Sequence, residues 1–299
     1  MLKILHFLLF YAIIINNVIF FAKGNPIMIR YTDLSDKNMI NCGHGVQKSP
    51  LENLDLYSRH FHEYGEILLY ISGDVRYCID GERYALKPYD VLLIPPTKYH
   101  FLIPLTNEDY ECYVINLKMD FLGDERLKKL FSPPYIINIA NDKAVRRMFG
   151  QLDYYFENFT LEDFKEAAFH TLNEILICLS YRDKNEIDVT LARESDPMVM
   201  RMTAFIDENI ESELNASVLA GYLNFSESYV QNRFLKVMGI GLKQYINRKK
   251  IYAARADIIG GMSPNSAAQK YCFSDYSSFF RHYKKILGIS PKDDKKQER

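Results

Sequence analysis

The sequence predicts an α+β fold in which a β-rich first half precedes an all-helical second half. Short segments rich in Val, Ile, Leu and Tyr recur between positions 66 and 117, and helical periodicity replaces them after position 197. The net charge also changes sign: positions 1–189 hold 20 Lys and Arg against 26 Asp and Glu, whereas positions 190–299 hold 17 against 12. A chain of 299 residues with this asymmetry indicates two domains.

The first half has the pattern of a small β-barrel. Its strand candidates are EILLYIS, VRYCI, ERYALK, DVLLIP and YECYVINL. Asp80-Gly81 lies between the second and third candidates, and it predicts a two-residue hairpin because both turn residues need a positive φ. Short strands at this spacing favour a barrel or a sandwich.

Four side chains of this half are candidates for a binding site. His60, His62 and Glu66 form a His-x-His-x3-Glu pattern, and alternate residues of a strand face the same side. His100 follows a later strand candidate. Three imidazoles and a carboxylate can bind zinc, iron, manganese or nickel, or they can be polar residues that line an organic pocket.

The spacing of these residues resembles the cupin family. The positions that match its two motifs are His60, His62, Glu66, Gly73, Pro95 and His100. Two glycines of the second motif are replaced by Tyr89 and Thr97, and its Asn by Pro104. The resemblance implies a cupin-like barrel, and the missing glycines indicate that the loop before His100 departs from the geometry of cupin enzymes.

Two amphipathic helices follow, AVRRMFGQLDYYFENF and LEDFKEAAFHTLNEILICLSYR. They either pack against the barrel only or also dimerise. The predicted divisions of the chain are an apolar segment 1–27, the barrel 28–140, these helices within 141–185, a linker 186–197 and a helical domain 198–292.

The helical domain contains an internal repeat. LAGYLNFSESYVQNRFLKVMGIG and AAQKYCFSDYSSFFRHYKKILGIS each predict a short helix, a turn and a longer helix, and KQYINRKKIYAARADII predicts a connecting helix. In the first copy Ser217 and Ser226 are expected to cap the two helices. Tyr229, Val230 and Phe234 are expected to face the interior. Paired units of this kind are typical of helix-turn-helix DNA-binding domains.

The repeat resembles the DNA-binding signature of AraC/XylS-type transcription factors. The residues that carry the match include Leu219-Ala220, Ser226, Phe234, Gly239, Tyr245-Ile246, Ser274-Asp275, Phe279, Gly288 and Ser290-Pro291. The resemblance implies an N-terminal cupin-like β-barrel followed by a helix pair, then an all-α domain of two helix-turn-helix units joined by a linker helix. It also implies a sequence-specific DNA-binding regulator that is a homodimer and contacts RNA polymerase.

Two sets of site residues follow from this resemblance. The predicted DNA contacts are Ser228, Gln231, Asn232, Arg233, Lys236, Tyr276, Ser277, Phe280, Arg281 and Lys284. The predicted effector contacts are His60, His62, Tyr64, Glu66, Tyr70 and His100. We expect an organic effector such as a sugar or a polar metabolite, no metal, no cofactor and no catalysis. A metal sensor or a metal-dependent cupin enzyme is the alternative.

The second unit departs from the family pattern. Cys272 replaces a turn glycine, where a left-handed φ would strain a side chain. Ala267-Ala268 replaces a larger Ile-Ala pair, which predicts an underfilled core. We therefore expect the second unit to bind DNA more weakly or with less sequence specificity than the first.

Residues 1–22 are almost wholly apolar, and three interpretations stay open for them: a start codon placed too far upstream, a membrane anchor or a cleaved signal. The five cysteines are far apart and include no Cys-x-x-Cys pair. This argues against a disulfide framework or a zinc finger and favours the cytoplasm.

Overall fold

A computed structural model describes residues 27–33, 40–57, 59–118, 125–133, 135–182 and 196–297. The chain divides into two compact units, the first with positions 1–79 and 83–193 and the second with positions 80–82 and 194–299. The apolar segment 1–22 and most of the expected linker 186–197 lie outside the described residues. Within the described ranges, every helix is too short or too polar to cross a bilayer.

The first unit is built on two β-sheets. The strands are β1 (Ile27–Asp33), β2 (Ile40–Gln47), β3 (Gly65–Ser72), β4 (Val75–Ile79), β5 (Glu82–Ala85), β6 (Asp90–Ile94), β7 (His100–Pro104), β8 (Tyr110–Leu117) and β9 (Ile136–Asn138). A six-stranded sheet has the order β1-β2-β8-β3-β6-β9, and a three-stranded sheet has the order β5-β4-β7. The predicted Asp80-Gly81 turn is confirmed, with φ angles of 46° and 88°.

Three α-helices accompany these sheets, α1 (Glu125–Leu130), α2 (Lys143–Asn158) and α3 (Leu161–Ser180). A 3-10 helix, Pro50–Tyr57, also lies in this unit. Asp142 caps α2 and Thr160 caps α3, in each case by accepting a backbone N–H of the first turn. The apolar stripe of α3 is buried against the six-stranded sheet, so the predicted packing of this helix on the barrel is confirmed. Its role in dimerisation stays a prediction.

Residues 196–297 of the second unit form helices joined by loops. Its helices are α4 (Pro197–Glu208), α5 (Ala216–Leu223), α6 (Glu227–Met238), α7 (Leu242–Ile259), α8 (Pro264–Lys270), α9 (Tyr276–Leu287) and α10 (Pro291–Gln297). The pairs α5–α6 and α8–α9 form the two helix-turn-helix units, and α7 joins them. The fold class predicted from the sequence is therefore confirmed.

Two local predictions for the first helix-turn-helix unit were wrong. Asn215, rather than Ser217, caps α5 by accepting the N–H of Val218, because the helix begins two residues earlier than expected. Tyr229 does not face the interior and is 47% exposed. The buried stripe of α6 runs through Val230 and Phe234, and Tyr229 lies beside that stripe. The predicted cap at Ser226 is confirmed.

His44 links α2 to the six-stranded sheet through charged side chains. Its Nδ1 lies 3.0 Å from Asp153 Oδ1 on α2, and its Nε2 lies 2.9 Å from Glu111 Oε1 on β8. The ring stacks on Tyr113 with 4.0 Å between centroids, and the Tyr113 hydroxyl donates to the other oxygen of Asp153. Burial lowers the pKa of His44, but the hydrogen bonds and charges of Asp153 and Glu111 outweigh it, so the pKa is raised above its ordinary value.

This arrangement predicts a pH-dependent stability. Because the folded pKa lies above the unfolded value of about 6.5, the folded state binds the proton more tightly. The stabilisation by His44 is complete below about pH 6.5 and is lost as the pH rises through the folded pKa. Denaturant titrations between about pH 6 and about pH 8 should show the wild-type free energy of unfolding falling relative to that of His44→Gln.

His170→Gln is the matched control, since His170 is an exposed residue of α3. Its free energy of unfolding should track that of the wild type across the same range. A constant difference between the wild type and His44→Gln at all pH values would contradict the prediction.

Candidate ligand site and nucleic-acid interface

Four predicted side chains converge at one end of the first unit. One ligand atom each from His60, His62, Glu66 and His100 all lie within 4.8 Å of one another. Glu66 belongs to β3 and His100 begins β7, while the two other histidines precede β3. The structure thus brings together the two parts of the sequence pattern, which are separated by more than 30 positions.

The backbone fixes the segments that carry these side chains. His60 and His100 form an isolated antiparallel bridge, and each donates its N–H to the carbonyl of the other at 3.1 Å. The N–H of Thr97 donates to the carbonyl of His62 at 2.7 Å. The loop before His100 is therefore attached to the segment that carries the first two histidines.

Two positions of the cupin-like motif keep a left-handed backbone without glycine, one just before β6 and one in the loop before His100. Tyr89 and Thr97, which occupy the two glycine positions of the cupin-like motif, have φ angles of 70° and 61°. A β-branched residue rarely adopts a positive φ, and this conformation costs roughly 1–2 kcal/mol per residue. Backbone strain of this kind persists only where the surrounding structure holds it in place.

Two of the histidines are oriented by backbone carbonyls. His62 Nδ1 lies 2.8 Å from the carbonyl of Tyr64, and His100 Nδ1 lies 2.8 Å from the carbonyl of Lys98. A carbonyl oxygen can only accept, so each Nδ1 carries the proton. Burial lowers the pKa of His62 to about 4, and burial also lowers the pKa of His100 well below its ordinary value.

The Nε2 atoms of His62 and His100 face the carboxylate of Glu66. Its Oε2 lies 3.1 Å from His62 Nε2 and 3.8 Å from His100 Nε2, and its Oε1 accepts a hydrogen bond from the Tyr77 hydroxyl at 3.2 Å. His100 is fully buried, and its Nε2 has no hydrogen-bond partner among the described residues. Donor atoms of the kinds that bind zinc and similar ions therefore meet at one point.

The two tyrosines predicted for this site lie differently. Tyr64 stacks on His62, with 4.0 Å between ring centroids. Tyr70 is buried farther along β3, on the same face as Glu66, and its hydroxyl donates to the carbonyl of Gly73. Tyr77 was not among the predicted residues. The hairpin signal at Asp80-Gly81 places Tyr77 on a strand, but it does not indicate that its hydroxyl reaches the carboxylate.

The predicted DNA contacts lie on α6 and α9. On α6, Ser228, Gln231, Asn232 and Lys236 are exposed. Arg233 is half-buried and forms an ion pair of 2.5 Å with Asp196, whose carboxylate also caps α4. This side chain is therefore partly engaged within the unit.

On α9 four of the predicted residues are exposed, namely Tyr276, Ser277, Arg281 and Lys284, and Phe280 is half-buried. Ser277, Arg281 and Lys284 are spaced by four and three positions, which places them on one face of the helix. Asp275 caps α9 by accepting the N–H of Ser278. Each unit thus presents polar and basic side chains on its second helix, as the sequence predicts.

Comparisons with known proteins agree with this architecture. A family model described as an AraC-like ligand binding domain matches residues 52–153, and one described as a helix-turn-helix domain matches residues 219–297. The probable transcriptional regulator LumQ of Photobacterium leiognathi is 21% identical over 233 residues, which cover 78% of this chain and 89% of LumQ.

Other relatives are matched over a smaller part or at lower identity. An uncharacterized response regulatory protein of Staphylococcus epidermidis is 27% identical over 134 residues, which cover 45% of this chain and 48% of that protein, so the chain spans about half of its length. The crystal structure of ToxT from Vibrio cholerae matches 85% of this chain and 96% of its own, with 12% identity and a TM-score of 0.35.

The two family matches lie in the order that the sequence predicts, with the ligand-binding domain first and the helix-turn-helix domain second. One match lies in each of the two compact units. The chain thus has an AraC-like ligand binding domain followed by a helix-turn-helix domain, and it is similar to transcriptional regulators that carry such domains.

Proposed function

We propose that this protein binds specific DNA sequences and regulates transcription in response to a ligand bound in its first unit. The observation that carries the proposal is the pair of helix-turn-helix units, each with polar and basic side chains exposed on its second helix. A helix of this kind can enter the major groove and read base edges there. The role is regulatory rather than catalytic and is exercised in the cytoplasm.

The second helices of the two helix-turn-helix units, α6 and α9, make different kinds of DNA contact. Arg281 and Lys284 on α9 are exposed cations that suit phosphate oxygens, and such contacts fix position without reading sequence. Gln231 and Asn232 on α6 are exposed amides near the start of the helix, and an amide can pair with adenine through two hydrogen bonds. We therefore expect the first helix-turn-helix unit to make most of the base contacts.

The ligand that controls the regulator is expected to bind in the β-rich first compact unit. The expected effector residues are the four clustered side chains together with Tyr64 and Tyr70, and an organic effector such as a polar metabolite remains the prediction from the sequence. Any ligand must bind two states of the regulator with different affinity in order to change its activity.

A homodimer fits the exposed apolar side chains of α2 and α3. Tyr154 is 57% exposed, Leu161 47% and Ile177 43%. A second copy of the chain would cover such residues and would place two helix-turn-helix domains on one DNA site. RNA polymerase is the further protein partner that a transcription regulator of this kind would contact.

Removing the α9 cations should weaken DNA binding without changing sequence preference. Arg281→Ala and Lys284→Ala each remove a positive charge that displaces counterions from phosphates. Fluorescence anisotropy with duplex DNA at several salt concentrations should show lower affinity for all sequences. The salt slope should fall by about one for each phosphate that the variant no longer neutralises.

Lys143→Ala is the control for this experiment, because it removes an exposed positive charge from the first unit. It should leave both the affinity and the salt slope unchanged. Wild-type affinity for Arg281→Ala and Lys284→Ala at moderate salt would refute the assignment of α9 as a DNA-contacting helix.

Changing the α6 amides should alter sequence preference. Gln231→Ala and Asn232→Ala remove base contacts worth roughly 1–3 kcal/mol each. Selection of binding sites from a random DNA library should yield a consensus that is relaxed at one or two positions in each variant. Lys236→Ala, on the same helix, should lower affinity and retain the consensus. An identical consensus for all four proteins would show that the amides contact phosphates only.

A further inference from the structure

We propose that Leu235 on α6 reads a thymine through its 5-methyl group and is a further residue that sets the sequence preference of the first helix-turn-helix unit. The inference rests on the proposed function, because it requires α6 to lie in the major groove of DNA. Leu235 is not among the DNA contacts predicted from the sequence, which on this helix are all polar or charged.

Leu235 is an apolar side chain that the core of the second unit does not enclose. It is 50% exposed, whereas the buried residues of α6 are Val230, Phe234, Val237 and Met238. Single exposed leucines are common on protein surfaces, so exposure alone assigns no role to the residue. What distinguishes this leucine is its place on the helix.

Leu235 stands on the face that carries the three neutral polar residues of α6. It follows Gln231 by four positions, Asn232 by three and Ser228 by seven, so all four side chains point the same way. At about 100° per residue, the four occupy an arc of about 100°, and Leu235 lies within that arc rather than at its margin. All four are exposed. A surface that contacts Gln231 and Asn232 together therefore also contacts Leu235.

Two charged residues of α6 flank this face. Lys236 is rotated by about 40° beyond Asn232, and Glu227 by about 40° beyond Gln231 on the opposite side. The four residues between them carry no charge. This strip of the helix therefore suits base edges, whereas Lys236 at its margin suits phosphate oxygens.

Thymine supplies the apolar group that a leucine at this position would contact. Among the four bases only thymine presents a methyl group in the major groove, and the other groups displayed there are hydrogen-bond donors and acceptors. A leucine can neither donate nor accept a hydrogen bond, so a polar base edge covered by it would lose its bonds to water. Contact with a methyl group instead removes apolar surface of both partners from water. Leu235 therefore favours thymine and disfavours a polar edge at the same position.

The spacing along α6 agrees with the base contacts proposed for the two amides. Three or four residues advance a helix by about 4.5–6 Å, and successive base pairs lie about 3.4 Å apart. In a helix that follows the groove, Leu235 meets a base pair one or two steps from the adenine that Gln231 or Asn232 contacts. The thymine can belong to either strand, since both bases of a pair present their edges in this groove.

The test compares thymine with uracil, which differs from it only by the missing methyl group. A DNA site is first selected by the full chain from a random library, and each thymine of that site is then replaced singly by uracil. Fluorescence anisotropy should show that one of these replacements lowers the affinity of the wild type about fourfold, which corresponds to the burial of one methyl group.

Two substitutions of similar length separate the apolar contact from the bulk of the side chain. Leu235→Gln should bind the thymine site more weakly than the wild type and should be insensitive to the replacement that weakens the wild type. Leu235→Met keeps an apolar side chain and should keep that sensitivity. Leu105→Gln is the matched control, because it changes a leucine of the first unit that is 44% exposed, and it should retain both the affinity and the sensitivity. Circular dichroism of each variant establishes that it is folded.

The outcomes distinguish this inference from the proposed function. Wild-type affinity that no uracil replacement changes would overturn the inference alone, since the chain would still recognise its selected site. An equal loss in the wild type and in Leu235→Gln would also overturn it, because another residue would then contact the methyl group. Failure to select any consensus from the library would sink the proposed function, and the inference with it.

Discussion

The register of β3 is the constraint on which the first unit depends. β3 lies inside the six-stranded sheet and pairs with β6 on one side and β8 on the other. Its alternating residues separate two apolar layers: Ile67 and Leu69 pack with α2 and α3, whereas Leu68 and Tyr70 pack between the sheets. Glu66 belongs to the second set. A slip of one residue would move the carboxylate to the helical side and dismantle the cluster.

The same register explains why a buried charge is tolerated. Burying a carboxylate without partners is costly, and this one is hydrogen-bonded to the Tyr77 hydroxyl and to His62 Nε2. The histidines arrive there through the backbone bridge between His60 and His100 rather than through a continuous strand ladder. The sheet sets the position of Glu66, and the bridge sets the position of its neighbours. The strained φ of Thr97 is one cost of closing this end of the unit.

Sequence patterns predicted the elements, because these follow from periodicities of two and of about 3.6 residues. The convergence of the cluster was predicted by the spacing of the cupin-like motifs and not by strand alternation, since His60 and His62 precede β3. These patterns did not predict the orientation of the rings. That depends on the carbonyls of Tyr64 and Lys98, and a carbonyl is common to every residue type. The missing glycines of the cupin-like motif suggested a changed loop geometry. Tyr89 and Thr97 nevertheless adopt the left-handed conformation that glycine would favour, so residue type alone did not decide the path of the backbone. Tyr229 was misplaced because its periodicity fits either side of a narrow buried stripe.

The two helix-turn-helix units show how one architecture is stabilised by different means. In the first helix-turn-helix unit the turn residue is Asn224 with a φ of 60°, a residue type that tolerates this conformation. In the second helix-turn-helix unit it is Cys272 with a φ of 54°. The backbone beside the Cys272 turn is held by Lys250 of α7. Its ammonium donates to the carbonyl of Tyr271 at 2.9 Å and to that of Ser212 at 2.7 Å.

The second helix-turn-helix unit has a buried core although the buried residues of α8 are small. Ala267 and Ala268 are buried together with the large rings of Tyr271, Phe279 and Tyr283. Hydroxyls of two of these rings donate to carboxylates: Tyr271 bonds Asp257 of α7, and Tyr283 bonds a carboxylate of α10. The core of the first helix-turn-helix unit therefore contains the buried stripe of α6 with Val230 and Phe234. The core of the second contains aromatic rings that are fixed by charged partners. Two copies of one motif can keep the same helix arrangement with cores of different chemistry, which leaves the exposed faces of α6 and α9 free to differ.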